Sequence, residues 1–170
     1  YREDALAELL RALDAWNDAH AKDAIALRYA GQDGDVVNRI ASGLGVALEI
    51  NDEGFMAQDA LLELLAGAAV NAYVYEPKGK WHQKLPEFLA AGRPVLSFPG
   101  ETIEAEDFAA QSGGVLFVCT DATQITDALD TLLSDPPPPP NTQRLQALTW
   151  PARAEVLEGV LERTANSRRS

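Results

Sequence analysis

Lys78, Lys80, His82 and Lys84 crowd into one short stretch of a chain that is otherwise strongly acidic, with 26 Asp and Glu against 14 Lys and Arg and a net charge of −12. Cations gathered in one loop suit an anionic ligand, and a helix opening just after them adds backbone N–H groups to the attraction. Such a helix is written in "KLPEFLAAG", residues 84–92. Its Lys84 and Glu87 are three residues apart, which puts both on one face of the first turn. One reading is a surface ion pair worth about 0.2–0.5 kcal/mol. The other is chemical: Glu87 accepts from both hydroxyls of a vicinal diol through its two oxygens, while Lys84 neutralises a phosphate. Pro86 is compatible with this placement, because first-turn N–H groups have no helical partner to lose. Gly92 closes the helix and Pro94 opens the apolar run "PVLSF".

Other chemistries find less support. His20 and His82 lack a His-x-x-x-His spacing, so no metal site is expected. "GQDGD" lacks the later Glu that a calcium loop needs. Asp52-Glu53 and Glu104, Glu106 and Asp107 read as solvated helix starts rather than acid–base pairs. There is no Ser-His-Asp arrangement and no "GxxxxGK" phosphate loop. Cys119 is the single cysteine; within "VLFVCT" it reads as a buried, inert thiol. Trp16 and Trp150 read as packing residues, and Trp81, beside the basic cluster, as the aromatic placed to touch a ligand.

These residues need a scaffold, and the periodicity predicts one. Leu6, Leu9, Leu10, Leu13 and Trp16 recur at helical spacing within residues 2–20. Further helices are expected over 35–45, 57–68, 84–92, 105–113 and 121–135, the last capped by Asp121. Short apolar strands are expected at 24–30, 46–50, 70–76, 94–99 and 114–119. Strict alternation of helix and apolar strand predicts an α/β, Rossmann-like, doubly wound parallel sheet flanked by helices. In such sheets ligands bind beyond the carboxyl ends of the strands, which is where the basic cluster falls. Residues 1–135 form this α/β domain in this reading, followed by a stiff proline connector at 136–141. A helix over 142–164 packs back on the domain, and 165–170 form a frayed tail.

"KLPEFLAAGRPVLSFPG" resembles the nucleotide-sugar-binding segment of GT-B glycosyltransferases of the group 1, family 4-like kind, whose retaining members carry a Glu followed by "Ala, small, Gly, x, Pro-Val". "LRYAGQDGDVVNRI", "ALLELLAGAAVNAYVYEP", "TDATQITDALDTLLSD" and "LTWPARAEVLEGVLER" resemble flanking elements, so the likeness covers nearly the whole chain. It implies half of a GT-B fold: the C-terminal, donor-binding domain of an enzyme that moves a sugar from a nucleoside diphosphate sugar to a glycan, lipid or other polysaccharide precursor. No cofactor beyond that donor is implied. Glu87 would bind the ribose hydroxyls, and Lys84 with the start of its helix would face the diphosphate. Ile50 and Asn51 would touch the nucleobase through backbone groups, Gly31 would leave room for the donor, and His82 would lie beside phosphate or sugar. Many retaining members carry a second Glu eight residues before the first; here that position is Gly79, and Glu76 replaces it only if the loop folds back.

Acceptor groups and any general base would belong to an N-terminal domain not contained in these residues, leaving the isolated segment able to bind nucleotide weakly and to turn over nothing. The opening Tyr1-Arg2-Glu3-Asp4 runs straight into helix and reads as the start of a piece of something longer. A 3-2-1-4-5-6 sheet has its first strand at the centre, so "AIALRYA" and "NAYVY" or "PVLSF" are expected to lack a middle neighbour, supplied by other residues or by a second chain. The acidic balance argues against nucleic acid, and no run reaches the ~18 apolar residues of a membrane span. A cytoplasmic setting is expected, with peripheral membrane association through the other half as a variant. Two alternatives stand beside this reading: a nucleotide-sugar epimerase of the same architecture, and a non-catalytic α/β interaction module.

Overall fold

The computed structural model describes residues 2–76 and 84–138, together with Ala154 and Glu158. Glu3–Ala19 form helix α1. Its stripe of Leu6, Leu9, Leu10, Leu13 and Trp16 is buried, and burial of each such side chain is worth about 1.5–3 kcal/mol. Strands and helices then alternate: β1 (Leu27–Ala30), α2 (Gly34–Leu44), β2 (Ile50–Gly54), α3 (Gln58–Gly67), β3 (Asn71–Val74), α4 (Leu85–Ala90), β4 (Val95–Phe98), α5 (Ile103–Ser112), β5 (Leu116–Val118) and α6 (Ala122–Ser134).

The expected α/β architecture is present, with its parallel strands in two small sheets. β1 pairs with β2, and β3, β4 and β5 pair in that order. All three pairings are parallel, from Leu27 opposite Ile50 in one sheet to Asn71 opposite Val95 and Val95 opposite Leu116 in the other. Among the described residues no strand pairs with the second edge of β1 or of β3, the strands for which the sequence calls for a middle neighbour, and within each sheet the pairing follows the expected order.

Helices cover both faces. α1, α2 and α6 pack on Leu27, Tyr29 and Ile50 from one sheet and on Leu96, Phe98 and Cys119 from the other, so one apolar core unites the two. Leu85 and Leu89 of α4, with Ala105 and Ala109 of α5, cover the opposite face over Tyr73 and Val95. Every residue of β4 is buried, as a parallel strand sandwiched between helix layers must be.

One strand is displaced from its expected position. Pairing begins at Ile50 rather than ending there, so β2 occupies Ile50–Gly54 instead of 46–50. Leu48 instead drops into the core. The polar residues of β2 are held by side-chain bonds: Arg28 Nε to Glu53 Oε1 at 2.7 Å, and Asn51 Nδ2 to Glu49 Oε1 at 3.0 Å. Residues 136–138 are neither helix nor strand, while Ala154 and Glu158 are helical. The rest of the expected connector, the other residues of the 142–164 helix and the 165–170 tail lie outside the described residues. No described helix is long and apolar enough to cross a membrane.

Candidate functional site at the carboxyl edge of the strands

Parallel strands present their carboxyl ends to one edge, and each hands over there to a helix or its leading turn. Gly31 follows β1 directly, and its N–H donates to Gly54 O at 2.9 Å, locking the ends of β1 and β2 together. Gly54 has φ +65°, a left-handed turn that suits glycine. Phe55, the next residue, is 81% exposed on this rim. Ile50 and Asn51 are instead the first residues of β2, opposite Leu27 and Arg28. The structure therefore separates them from Gly31 by the length of the strand, because the pairing register moved the turn from 50–51 to 54–55.

Helix starts along this edge differ in how their free N–H groups are met. Thr102 Oγ1 accepts from Ala105 N at 3.3 Å at the start of α5. Asp121 Oδ1 accepts from Gln124 N at 2.9 Å at the start of α6, the cap expected from sequence. At α2 the Asp52 carboxylate lies against Gly34, the first residue of the helix, so closely that a Cβ there would collide with it. An anion is favourable beside a helix N-terminus, and here the protein supplies its own.

α4 is different. Its flanking residue Lys84 makes no side-chain cap bond, and Pro86 occupies the first turn. Lys84 and Glu87 are both exposed. Their backbones are held in the first turn, with Phe88 N donating to Lys84 O and Ala91 N to Glu87 O, each at 3.0 Å. Among the described residues no ion pair joins Lys84 to Glu87, so the surface-pair reading is not realised. Leu85 and Leu89, both buried, fasten the opposite side of α4 to the sheet. α4 spans only six residues, so its field is short-ranged and the positive charge is Lys84's to provide. His82 and Gly79, with the rest of the basic cluster, lie outside the described residues.

Sequence reasoning did not anticipate a network beside α4. Tyr73 Oη donates to Glu101 Oε2 at 2.5 Å, and Glu101 Oε1 accepts from Thr102 N at 2.7 Å. Ser97 Oγ donates to Gly100 O at 2.7 Å, and Gly100 N to Cys119 O at 2.6 Å. Tyr73 is buried, and that burial, reinforced by Glu101, pushes its phenol well above the ordinary tyrosine range. These bonds tie the loop after β4 to β3 and to the residue after β5. The only advance signal was Glu101 itself, an acid at a strand's carboxyl end.

Two hollows lie elsewhere. One of about 290 Å³ is lined by Phe117, Cys119, Gln124 and Asp127 at β5 and α6. The other, about 380 Å³, lies between α1 and α6 beside Glu8 and Arg11. Neither includes Lys84 or Glu87. Among the described residues no three His, Cys, Asp or Glu side chains gather as metal ligands.

No protein-family model matches the sequence, and no curated protein does. Solved structures do match. Sucrose-phosphate synthase from Thermosynechococcus elongatus is similar with a TM-score of 0.66 at 19% identity, over 99% of this chain and 44% of that one. Anabaena HepE, in complex with UDP and glucose and in a second structure with UDP-glucose, is similar with a TM-score of 0.51 at 18% identity, over 79% of this chain and 36% of that one. The chain thus spans less than half the length of each. At these identities the likeness is one of fold, and the fold is the Rossmann-like α/β half of a GT-B architecture.

Proposed function

We propose that this chain is the donor-binding half of a glycosyltransferase, holding a nucleoside diphosphate sugar at the carboxyl edge of β3 and β4. The observation that carries the reading is the likeness to one half of larger GT-B structures, combined with Lys84 and Glu87 at the first turn of the helix that follows β3. HepE's complexes with UDP and UDP-glucose support a nucleotide-sugar ligand for a fold of this kind.

Glu87 is exposed and has no ion-pair partner among the described residues, and its two carboxylate oxygens suit a ribose diol. Lys84 stands beside it as a point charge for the diphosphate. As the bond from sugar to diphosphate breaks, negative charge grows on the leaving oxygens, and a fixed ammonium lowers the energy of that state. Gripping the ribose contributes binding energy remote from the reacting carbon, which helps orient it. A hexosyl group is the expected cargo, and the acceptor with any general base belongs to the facing half of the enzyme. Gly31 flanks the donor, while Gly54 and Phe55, rather than Ile50 and Asn51, border the edge available to the base.

Titration of the chain with UDP, GDP, ADP and dTDP, followed by calorimetry, tests this. Saturable binding of at least one diphosphate, weakened by salt, is expected. Absence of heat and of spectral change with all four would overturn the reading in favour of a non-catalytic interaction module.

A further inference from the structure

We propose that Tyr73 is a positioning residue for the donor site: latched by Glu101, its ring fixes where the first turn of α4, and with it Lys84 and Glu87, stands on the sheet. The inference rests on the donor-binding reading and names what holds that site in shape. Tyr73 is 6% exposed and shares an apolar cluster with Leu85 and Leu89 of α4. Its ring centroid lies 6.0 Å from that of Phe88, the planes tilted by 45°, a spacing at which aromatic pairs attract. Phe88 directly follows Glu87, and its N–H donates to Lys84 O at 3.0 Å. Residues three and four apart are neighbours on a helix, so Lys84 stands beside both Glu87 and Phe88.

A short helix needs such a hold. α4 has six residues and no side-chain cap bond, and helices of that length do not persist on their own in water. Leu85 and Leu89, both fully buried, grip its underside, with Leu89 resting where a Cβ at Gly114 would collide with it. Two leucines on one stripe fasten the helix but leave it free to roll about that stripe. Phe88 on Tyr73 supplies the third point. The Tyr73 ring is itself held at its hydroxyl, which donates to Glu101 Oε2 at 2.5 Å. Ser97, opposite Tyr73 in the β3–β4 ladder, hydrogen-bonds the same hydroxyl. The other oxygen of Glu101 accepts from Thr102 N at 2.7 Å, which anchors the latch in backbone. A roll too small to unfold α4 displaces a carboxylate and an ammonium that must meet ribose and diphosphate together, and binding groups need placement within about 0.5 Å.

Calorimetric titration with UDP, GDP, ADP and dTDP in turn, paired with NMR of the α4 amides, tests the assignment on chains whose fold circular dichroism confirms. Tyr73→Phe keeps the ring and removes the latch. It is expected to shift the Phe88 and Ala91 amides and to lower affinity for the tightest-binding nucleotide about fivefold, a size reached by residues acting through a packed network. Glu101→Ala is expected to do the same, while Glu101→Gln, which keeps an oxygen for Thr102 N and an N–H for the Tyr73 hydroxyl, retains wild-type affinity. Should Tyr73→Phe not fold, the contrast between the two Glu101 variants decides. Asp130→Ala, which removes the Trp16 partner on α6, controls for a general loss of stability and is expected to leave affinity unchanged. Unmoved α4 amides, wild-type affinity in Tyr73→Phe or Glu101→Ala, an equal fall in Asp130→Ala, or tighter binding in both Glu101 variants from loss of charge alone would overturn the proposal and leave the donor reading intact. A wild-type chain that binds none of the four nucleotides would overturn the donor reading, and the positioning role with it.

Discussion

The Tyr73 hydroxyl donates to the Glu101 carboxylate at 2.5 Å, tying the end of β3 to the loop after β4 across 28 positions of sequence. Replacing Tyr73 with Phe leaves the ring's packing in place and removes the donor. The loss of a hydrogen bond to a charged acceptor predicts a destabilisation of about 1–3 kcal/mol. Urea unfolding of Tyr73→Phe measures it; an unchanged midpoint would show that the pair does not hold the loop.

The Asp52 carboxylate against Gly34 makes a sharper case. Alanine at a helix position normally stabilises relative to glycine by roughly 0.5–1 kcal/mol. At Gly34 the added Cβ collides with Asp52, so Gly34→Ala is expected to lower stability instead, by about 1–3 kcal/mol. Adding Asp52→Ala to Gly34→Ala should recover most of the loss, a non-additivity read from a double-mutant cycle. Additive effects would contradict the contact.

Trp16 and Asp130 clasp α1 to α6. Trp16 Nε1 donates to Asp130 Oδ1 at 2.7 Å, and the His20 ring stacks on the indole at 4.3 Å between centroids. His20 Nδ1 lies 3.0 Å from Trp16 O, and its Nε2 3.4 Å from Asp130 Oδ1. Asp130→Ala strands a buried indole N–H and should cost about 1–3 kcal/mol. Trp16→Ala, which also empties core volume, should cost about 3–5 kcal/mol. Thermal denaturation of both variants distinguishes the two losses.

Cys119 predicts a response to alkali. Burial, with smaller contributions from Asp121 and Asp127, pushes its thiol up from 9.0 to about 11. A group whose folded value is raised above its unfolded one supports the fold fully below the unfolded value, and that support fades as pH climbs through the folded one. Stability should therefore fall between about pH 9 and about pH 11, by about 2 kcal/mol from this thiol. Cys119→Val should flatten that decline, and a slope identical to the wild type's would rule the thiol out as its source.

Much of this architecture was legible in the sequence because its signals are local. The α1 stripe, the Asp121 cap and the burial of Cys119 each follow from residues within a turn or a short run. β2 was displaced because its register is set by pairing with β1: "VALEI" is the more apolar segment, yet Leu48 is used for the core and the polar Ile50–Gly54 for the ladder. That slip moved the expected base-facing turn off the ligand edge. The Tyr73–Glu101 bond and the Asp52–Gly34 contact join residues far apart in sequence, which periodicity and capping rules cannot reach. Lys84 and Glu87 were legible as a spaced pair, and the structure adds that they are not an ion pair with each other.

The carboxylate of Glu87 is the point on which the functional account turns. Calorimetric titration of wild type, Glu87→Ala and Lys84→Ala with whichever nucleoside diphosphate binds the wild-type chain tests it most directly, with circular dichroism confirming each fold. The account predicts at least a tenfold loss of affinity for both variants, about 1.4 kcal/mol or more. It also predicts that inorganic pyrophosphate, which has no ribose, loses affinity only in Lys84→Ala. A folded Glu87→Ala chain that binds the nucleotide as tightly as the wild type would contradict it.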